Sequence, residues 1–287
     1  MPIRFHEEIT SLQNPKVKQV ARWRDRPERE GSQVVLAEGY RALVRAMAGG
    51  YRMDEVFVCP EFFPGQGHEE ELLAQLAGQG ARLIRVAPRA FEKIAYRDRP
   101  EGLLGVGPQL HRALDDLQLS AVPFLLVAER IEKPGNLGTM MRSADAVKVD
   151  GMILSDSTTD IYNPNVVRAS TGNLFTLPIA EATTAQTIPW LKRHGIRILA
   201  TSPHADKLYT QADLTQPVAV AVGAEQYGLT PAWMEGADEL VRLPMLGEAD
   251  SLNVATATAI MLYEVVRQRI AAGLIADPGR VPESADC

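Results

Sequence analysis

The stretch that decides the fold is the last long apolar segment of the chain, Leu243-Pro-Met-Leu-Gly-Glu-Ala-Asp-Ser-Leu-Asn-Val-Ala-Thr-Ala-Thr-Ala-Ile-Met-Leu-Tyr-Glu-Val-Val-Arg-Gln268. Its first half is rich in turn-forming and short polar residues, which predicts a loop. Its second half has apolar residues at helical spacing on one face and polar residues on the other. The apolar set is Ala257, Ile260, Met261 and Val265, and the polar set is Glu264, Arg267 and Gln268. We expect an amphipathic helix after the loop, and Ser251 is a suitable residue to cap it.

Upstream of this segment, apolar runs alternate with helical segments. Residues 124–128 contain no polar side chain, as expected for a strand covered on both faces of a parallel sheet. Further strands are predicted at 152–154, 196–200 and 218–222, and helices at 137–147 and 185–194. This alternation predicts a doubly wound α/β domain whose ligand site lies at the carboxyl ends of its strands. Three loops leave those ends, at 129–138, 223–230 and 243–253.

The first two loops contain glycines and polar residues suited to a ligand site. In the first, Asn136 and Gly138 are expected to bring the backbone close to a ligand, with Arg142 about one turn into the following helix. In the second, Gly223 and Gly228 would let the main chain approach a ligand, although glycines at strand exits are more often plain turns. Neither loop has the glycine spacing of a phosphate-binding loop, which argues against a nicotinamide or nucleoside triphosphate enzyme of the usual kind.

The first hundred residues predict a smaller α/β unit. We expect helices from Asn14 and at 40–48, 69–77 and 88–95, strands at 33–37, 54–58 and 82–86, and a turn-rich loop at 60–67. The glycine-rich stretch 102–108 is interpreted as the boundary of this unit, and the polar stretch 111–120 as a flexible linker. The predicted organisation is a first domain at 1–108, a linker at 109–121, a second domain at 122–275 and a disordered tail at 276–287.

Composition limits the possible functions. The 287 residues carry a formal net charge of −6, which argues mildly against a sequence-blind polyanion binder. Residues 1–50 are the exception, with nine Lys and Arg against six Asp and Glu. Nucleic acid contacts are therefore expected near the start of the chain, where the alternative is a solvated helix face. The basic residues there that lie close together are Lys16, Lys18, Arg22, Arg24, Arg26 and Arg29, with Trp23 among them.

The cysteines and the hydropathy pattern indicate the compartment. Cys59 and Cys287 are far apart in sequence, so that neither a disulfide framework nor a thiolate metal site is expected. No leader pattern opens the sequence and no apolar run approaches roughly 18 residues, the length of a membrane span. We expect a cytoplasmic protein that is neither exported nor embedded in a membrane.

Taken in order, the motifs resemble those of the SpoU (TrmH) family of RNA ribose 2′-O-methyltransferases in the SPOUT superfamily. The matching patterns are Asn136-x-Gly138-x-x-x-Arg142, Gly223-x-Glu225-x-x-Gly228, and Pro244 with Ser251-Leu-Asn-Val254 and the helix after it. Residues 162–172 look like the family's segment between its first two motifs. Glu38-Gly39 with Arg41 looks like the small L30e-like RNA-binding domain that precedes many members. Each motif alone is weak, but the ordered set is specific and covers the chain from Ile9 to about Arg269.

The resemblance implies a fold, a cofactor and a homodimer. The fold is a parallel-sheet SPOUT domain with a deep trefoil knot, preceded by the L30e-like domain. The cofactor is S-adenosylmethionine, with no metal, and the dimer forms through the second domain with the last helix at the interface. The residues implied in cofactor binding are Gly223, Gly228, Leu243, Met245, Leu252 and Asn253. Without the resemblance, Leu243 and Leu252 would be interpreted as core.

The resemblance also implies roles in methyl transfer and in RNA binding. Arg142 is either a base with a lowered pKa or a cation that binds the adjacent phosphate, and a guanidinium is normally never deprotonated. Asn136 would orient Arg142 or the phosphate, Ser251 and Asn253 would hydrogen-bond near the hydroxyl, and Glu225 would tie the second loop to its neighbours or be structural. The residues expected to contact RNA are Lys16, Lys18, Arg22, Arg24, Arg41 and Arg168, and Arg168 and Ser170 could instead cap a short helix.

Two departures from the family pattern concern loop detail, and three functions remain open. Lys148 stands where the family usually has glycine, and Ala255 where a small hydroxyl residue is common.

The leading hypothesis is methylation of a structured RNA, ribosomal RNA or alternatively transfer RNA. A catalytically silent RNA-binding protein of the same fold and a small-molecule α/β enzyme are the competing hypotheses.

Overall fold

Two separate sheets organise the chain in a computed structural model that describes residues 4–65, 67–277 and 279. The first sheet has five strands, β1 (Glu7–Ile9), β2 (Val34–Glu38), β3 (Glu55–Val58), β4 (Arg82–Val86) and β5 (Leu103–Pro108). Their order is β1-β4-β3-β5-β2, and β5 is antiparallel to both of its neighbours. The helices of this first domain are α1 (Pro15–Arg22), α2 (Arg26–Ser32), α3 (Tyr40–Ala48), α4 (Glu69–Gly78) and α5 (Pro88–Ile94).

The second sheet has seven strands, and every pair of neighbours is parallel. The strands are β6 (Phe124–Glu129), β7 (Gly151–Ser155), β8 (Ile179–Ala182), β9 (Arg197–Thr201), β10 (Lys207–Leu208), β11 (Val218–Val222) and β12 (Glu239–Arg242). The helices are α6 (Pro134–Ala146), α7 (Pro164–Ala169), α8 (Thr184–Arg193), α9 (Pro231–Gly236) and α10 (Val254–Ala271). Strands β6, β7 and β11 are buried along their whole length, as the apolar runs predicted. The expected α/β fold with two sheets is confirmed.

The stretch 102–108, to which the sequence assigned no secondary structure, is mostly strand β5 of the first sheet. Its glycines are required by packing. A Cβ on Gly105 would lie 2.5 Å from Leu43 Cδ2, and one on Gly107 would lie 2.5 Å from the carbonyl oxygen of Arg52. Strand β5 therefore lies so close to α3 and to the segment before β3 that no side chain fits at these positions.

The segment 109–121 connects the two domains and packs against the second. Leu114 and Leu117 are buried in the same apolar cluster as Trp190, whose indole Nε1 donates a hydrogen bond to Asp115 at 2.6 Å. The backbone N–H of Glu181 also donates to the carbonyl of Arg112. The polar stretch is thus a docked connection with two buried leucines.

The two domains meet in a close-packed interface. A Cβ on Gly49 would lie 1.8 Å from the carbonyl oxygen of Phe175, and one on Gly172 would lie 3.0 Å from the Cα of Ala42. Arg29 is fully buried and forms an ion pair with Asp160 of the second domain. Arg29 therefore belongs to the domain interface and not to the exposed basic cluster in which the sequence placed it.

The C-terminal helix α10 differs from the sequence prediction in its cap and in the burial of Glu264. Asn253 caps it, since its Oδ1 accepts from the backbone N–H groups of Ala255 and Thr256. Ser251 lies exposed in the preceding loop, so the prediction that it caps the helix is wrong. Glu264, expected on the solvent face, is buried and accepts from Arg267 and Gln268, because α10 is covered on more than one side.

Arg269 ties the last turn of α10 to the second sheet. Its buried guanidinium donates to backbone carbonyls that flank the starts of β6 and β11 and lies 5.2 Å from the Phe124 ring. The carbonyls are those of Leu214, Val122, Pro123 and Gln216. Within the described residues, no helix is both long and apolar enough to cross a membrane. The tail predicted to be disordered, 276–287, lies outside the described residues except for 276, 277 and 279.

Candidate active site

The three loops singled out from the sequence all leave the carboxyl edge of the second sheet. They follow β6, β11 and β12, and because these strands are parallel their ends lie on one edge. Helix α6 continues the first loop and α10 continues the third, and the two helices pack against each other. The fold therefore brings the three motifs together.

Asn136 lies between the second and third of these loops and bonds to both. Its Nδ2 donates to Glu225 Oε1 at 2.6 Å, and its Oδ1 accepts from Asn253 Nδ2 at 3.1 Å. One amide thus joins a residue of the second motif to a residue of the third. We expected Asn136 to orient Arg142 or a phosphate, but in the structure both ends of its amide are engaged with Glu225 and Asn253.

Glu225 fastens the second loop to the first. Its second carboxylate oxygen accepts from the backbone N–H of Glu132 at 3.3 Å. Partial burial alone would raise the pKa of Glu225, but the hydrogen bonds from Asn136 and from backbone N–H groups hold that pKa below its ordinary value. Glu225 is therefore an ionised acceptor at neutral pH.

Arg142 lies further along α6 than expected. The helix begins at Pro134 and not at Leu137, so Arg142 is its ninth residue and lies more than two turns from the helix start. Its side chain is exposed. The guanidinium is therefore available to an external ligand.

The glycines of the first two motifs serve packing between segments of the chain. A Cβ on Gly138 would lie 2.6 Å from Ala169 Cβ, 2.7 Å from Ser170 N and 2.8 Å from the Val166 carbonyl oxygen. Gly138 is thus where α6 and α7 cross, and the expectation that it brings backbone close to a ligand stays a prediction.

Gly223 has a similar role in the second loop. A Cβ on it would lie 2.1 Å from the backbone carbon of Gly228, where the loop closes on itself through a bridge between Ala224 and Gly228. Gly228 has a φ of +67°, and a Cβ added to it would meet nothing within 4 Å. The glycines therefore shape the loop that carries Glu225.

The third loop offers backbone groups to a ligand. Among the described residues, 244–252 make no backbone–backbone hydrogen bond, so their N–H and C=O groups are free for one. Leu246 and Leu252 are 97% and 38% exposed, while Leu243 is partly buried against the core. Unpaired backbone donors and acceptors beside apolar side chains fit the adenine and methionine parts of S-adenosylmethionine.

Sequence reasoning gave no role to Glu129, the last residue of β6. It is 1% exposed, and its two carboxylate oxygens accept from the backbone N–H and the hydroxyl of Thr230, each at 2.7 Å. Thr230 ends the second loop, so Glu129 holds the end of that loop against strand β6. The sequence did carry a signal for this role, because a charged residue at the end of an otherwise apolar, buried strand needs hydrogen-bond partners.

The residues expected to contact RNA divide into two groups. Lys16 forms ion pairs with Glu7 and Glu55, and Arg24 donates to the carbonyls of Lys93 and Ala95, so both hold the first domain together. The side chains of Lys18, Arg22, Arg41 and Arg168 are exposed. Trp23 is largely buried, with its Nε1 bonded to Ser32. Ser170 is the buried C-cap residue of α7, and its hydroxyl bonds to the Val167 carbonyl.

Known proteins share both domains of this chain. Residues 123–263 match the SpoU rRNA Methylase family, and residues 14–105 match the MRM3-like substrate binding domain. The 23S rRNA (guanosine(2553)-2′-O)-methyltransferase RlmP of Bacillus subtilis is 27% identical over 90% of this chain and 99% of its own.

Solved structures give the same result. An AdoMet-bound rRNA methyltransferase from Sinorhizobium meliloti is 32% identical, with a TM-score of 0.83 over 91% of this chain and 97% of its own. The SpoU methyltransferase AviRb from Streptomyces viridochromogenes, in complex with AdoMet, is 29% identical, with a TM-score of 0.82 over 90% of this chain and 99% of its own.

The fold, the three converging loops and these matches define an S-adenosylmethionine-dependent RNA ribose 2′-O-methyltransferase. Within that class, the chain belongs to the SpoU (TrmH) family and carries an MRM3-like substrate-binding domain before its methyltransferase domain.

Proposed function

We propose that this enzyme methylates a ribose 2′-hydroxyl of 23S ribosomal RNA. The observation that carries the proposal is the bridge made by Asn136, which joins Glu225 and Asn253 beside the third loop and so assembles all three motifs in one chain. The choice of RNA is supported by relatives such as RlmP, which carries 23S rRNA in its name. A ribosomal RNA substrate would place the enzyme in the cytoplasm.

The methyl donor would lie against the second and third loops. Backbone groups around Gly223, Gly228, Leu243, Met245 and Leu252 would hold it, with Asn253 at its edge. When bound, S-adenosylmethionine supplies a methyl group on an already activated sulfonium. No metal is therefore required, and the protein has to orient the ribose and take up its hydroxyl proton.

Arg142 is the group we assign to the ribose. Its exposed guanidinium can bind the phosphate next to the reacting hydroxyl as a fixed cation, and this role suits a side chain that stays charged. The alternative role as a base requires a strongly lowered pKa. Ser251 is exposed in the third loop and would hydrogen-bond near the hydroxyl together with Asn253.

The first domain would bind the RNA through its exposed basic residues. Lys18 and Arg22 lie on one side of α1 and line an open groove with α2. Arg41 lies at the start of α3, which packs on the second domain. We take residues 1–108 as the RNA-binding domain, 109–121 as its connection and 122–275 as the knotted methyltransferase domain. The knot itself stays a prediction.

A second copy of the chain would cover the apolar surface around the third loop. Leu246 is 97% exposed, Tyr227 77% and Tyr263 on α10 54%. Tyr227 lies in the second loop, Leu246 in the third loop and Tyr263 on α10, so a dimer that covered these side chains would shield both loops and the last helix from water. Light scattering should give twice the mass of one chain, and Tyr263→Arg should lower it toward that of a monomer.

The decisive experiment is a tritiated-methyl transfer assay on unmodified transcripts of 23S rRNA, 16S rRNA and transfer RNA. The label should enter the 23S transcript, and mapping of the 2′-O-methyl group should give one nucleotide. Arg142→Ala serves as the inactive control. Transfer to transfer RNA with none to 23S rRNA would overturn the choice of substrate, and calorimetry without S-adenosylmethionine binding would overturn the activity.

A further inference from the structure

A cleft at the junction of the two domains is separate from the three loops. Its walls come from Ile94, Tyr96 and Arg97 of the first domain and from Pro164, Val167 and Arg168 of the second. The space between these walls is about 20 Å³, room for roughly one water molecule, so that a larger ligand can lie only along the rim, which carries the Tyr96 ring and the Arg97 and Arg168 guanidinium groups. Both domains are needed to form it.

The rim has the chemistry that binds single-stranded RNA. The Cζ of Arg168 lies 5.9 Å from the centroid of the Tyr96 ring, and its Nη2 donates to Asn165 at 3.2 Å. Because the Arg168 side chain is exposed, its guanidinium can also face a phosphate from solvent. Unpaired bases stack on aromatic rings and arginine planes, and the adjacent phosphate needs a cation.

Glu38 and Glu101 hold the first-domain wall of the cleft. Glu38 accepts from the backbone N–H groups of Tyr96 and Arg97, at 2.7 and 3.3 Å. Glu101 pairs with the Arg97 guanidinium and accepts from the backbone N–H of Tyr40 at 3.2 Å. The segment that carries the ring is therefore fixed before any ligand binds, which lowers the entropic cost of binding.

The second-domain wall is fixed relative to the first by the domain interface. Arg45 donates to the Thr171 hydroxyl at 2.7 Å, and the Tyr51 and Tyr162 hydroxyls lie 3.5 Å apart. Together with the close contact of Gly49 with Phe175, these bonds hold α7 against the first domain. The Tyr96 ring and the Arg168 guanidinium are thereby held in a fixed position relative to each other.

The cleft lies near the proposed reaction centre. Ala169, which follows Arg168, touches α6 at Gly138, and Arg142 is four residues beyond Gly138. Four helical residues span roughly 6 Å. An RNA strand that places a ribose at Arg142 would therefore pass the junction cleft within a few nucleotides.

We propose that an unpaired nucleotide that flanks the methylated one binds along the rim of the junction cleft, with its base against Tyr96 and its phosphate on Arg168. The proposal rests on the proposed function, since the occupant is the RNA substrate. It makes Tyr96 and Arg168 specificity-determining residues, because the spacing between cleft and Arg142 would select which ribose is presented.

The test uses the full chain and an unmodified 23S rRNA transcript. The variants are Arg168→Ala, Tyr96→Leu and Tyr96→Phe, with Arg193→Ala as the matched control, because Arg193 is an exposed arginine at the end of α8. Filter binding over a range of salt gives the RNA affinity, calorimetry the S-adenosylmethionine affinity, and melting the integrity of each variant.

Arg168→Ala and Tyr96→Leu should each weaken RNA binding by about tenfold, in line with the loss of one stacked base or one phosphate contact. Arg168→Ala should also reduce the slope of log K against log salt by about 1, because one counterion fewer is released. Tyr96→Phe keeps the ring and should bind as the wild type does, and so should Arg193→Ala. S-adenosylmethionine binding should be unchanged in all four variants.

Wild-type affinity and salt slope in folded Arg168→Ala would overturn the junction site, as would an equal loss in Arg193→Ala. A wild-type enzyme that binds the transcript but transfers no methyl group to it would overturn the proposed substrate alone. The two failures are distinct, because the ratio of variant to wild-type affinity does not depend on transfer.

Discussion

Asn253 donates a hydrogen bond from its side-chain Nδ2 to the Oδ1 of Asn136 at 3.1 Å, across 117 positions of sequence. The other end of the Asn253 amide caps α10 through Ala255 and Thr256. One side chain therefore both starts the C-terminal helix and connects it to the first turn of α6. The position of the third loop is thereby coupled to the first motif.

Separating the two roles of Asn253 is the first prediction. Asn253→Ala should lower the free energy of unfolding by about 1 kcal/mol through loss of the cap, and it should slow methyl transfer. Asn253→Ser keeps a capping oxygen but has no amide donor for Asn136. This variant should therefore unfold with the free energy of the wild type but still transfer the methyl group slowly. Urea unfolding and single-turnover transfer measure the two effects. Full activity in the serine variant would show that the bridge to Asn136 is not needed.

Arg142→Ala should abolish methyl transfer and leave S-adenosylmethionine affinity within about twofold, because the guanidinium is exposed and is assigned to the RNA phosphate and not to the cofactor. Arg142→Lys distinguishes the two roles. A lysine keeps the charge but not the planar fork, so a positioning cation predicts partial activity with the pH profile of the wild type. A base predicts an activity that rises with pH over the titration range of the new amine. Unchanged turnover in Arg142→Ala would exclude both roles.

Glu225 predicts an acid-sensitive contribution to stability. Burial alone would raise its pKa, but the Asn136 and backbone hydrogen bonds hold the pKa below the ordinary value. A carboxylate with a lowered pKa in the folded state stabilises the fold above its unfolded pKa of roughly 4.3, and this contribution is lost as the pH falls through the folded value. The Tm of the wild type should therefore exceed that of Glu225→Gln at pH 7, and the two should converge below about pH 4.

Glu248→Gln is the control for this pH experiment, because Glu248 is an exposed carboxylate in the neighbouring third loop. Removing its charge should leave the Tm profile of the wild type nearly unchanged. A gap between wild type and Glu225→Gln that stayed constant down to pH 3 would contradict the assignment, since an uncharged contact would then explain the difference.

The buried Arg269 should be among the most sensitive positions for stability. Its guanidinium donates to four backbone carbonyls, and Arg269→Ala leaves these acceptors without their charged donor. We expect a loss of roughly 3 kcal/mol in the free energy of unfolding, and a smaller loss for Arg269→Lys, which keeps the charge but cannot reach all four. Denaturant titration measures both. Arg193→Ala, at an exposed site, should change the same quantity by less than about 0.5 kcal/mol.

The sequence predicted those features that depend on local pattern. The apolar strands β6 and β11 and the helix α3 lie where periodicity placed them, since burial on both faces or on one face leaves a clear signature. Strand β5 was missed because its glycines, which pattern rules assign to turns, are imposed by the approach of α3 and of Arg52. A contact between segments far apart in sequence leaves no local pattern.

The same limit applies to the site. The order of the motifs identified Asn136, Glu225 and Asn253, but only the fold shows that one amide joins all three. The docked domain interface was also invisible in sequence. This interface complicates any test of RNA binding by removal of the first domain, because deletion of residues 1–109 would expose Phe175 and Tyr162 of the second domain. Point substitutions in the full chain therefore test RNA binding more cleanly than truncation.

Gly138 and Gly135 form a matched pair within α6, and they give the last prediction. A Cβ on Gly138 would lie 2.6 to 2.8 Å from atoms of Ala169, Ser170 and Val166, two of them backbone, while a Cβ on Gly135 meets nothing within 4 Å. Gly138→Ala should therefore push α6 away from α7 and cost about 1–3 kcal/mol. Gly135→Ala should be neutral or stabilising by up to about 1 kcal/mol, since alanine favours the helix.

Urea unfolding and RNA binding together show whether the crossing of α6 and α7 matters for function. Because α6 carries Arg142 and α7 carries Arg168, Gly138→Ala should weaken RNA binding as well as stability, whereas Gly135→Ala should change neither for the worse. If Gly138→Ala were as stable and as tightly binding as Gly135→Ala, the crossing would have to tolerate an added methyl group. The glycine of the first motif would then need an explanation in the ligand, as its sequence pattern had first suggested.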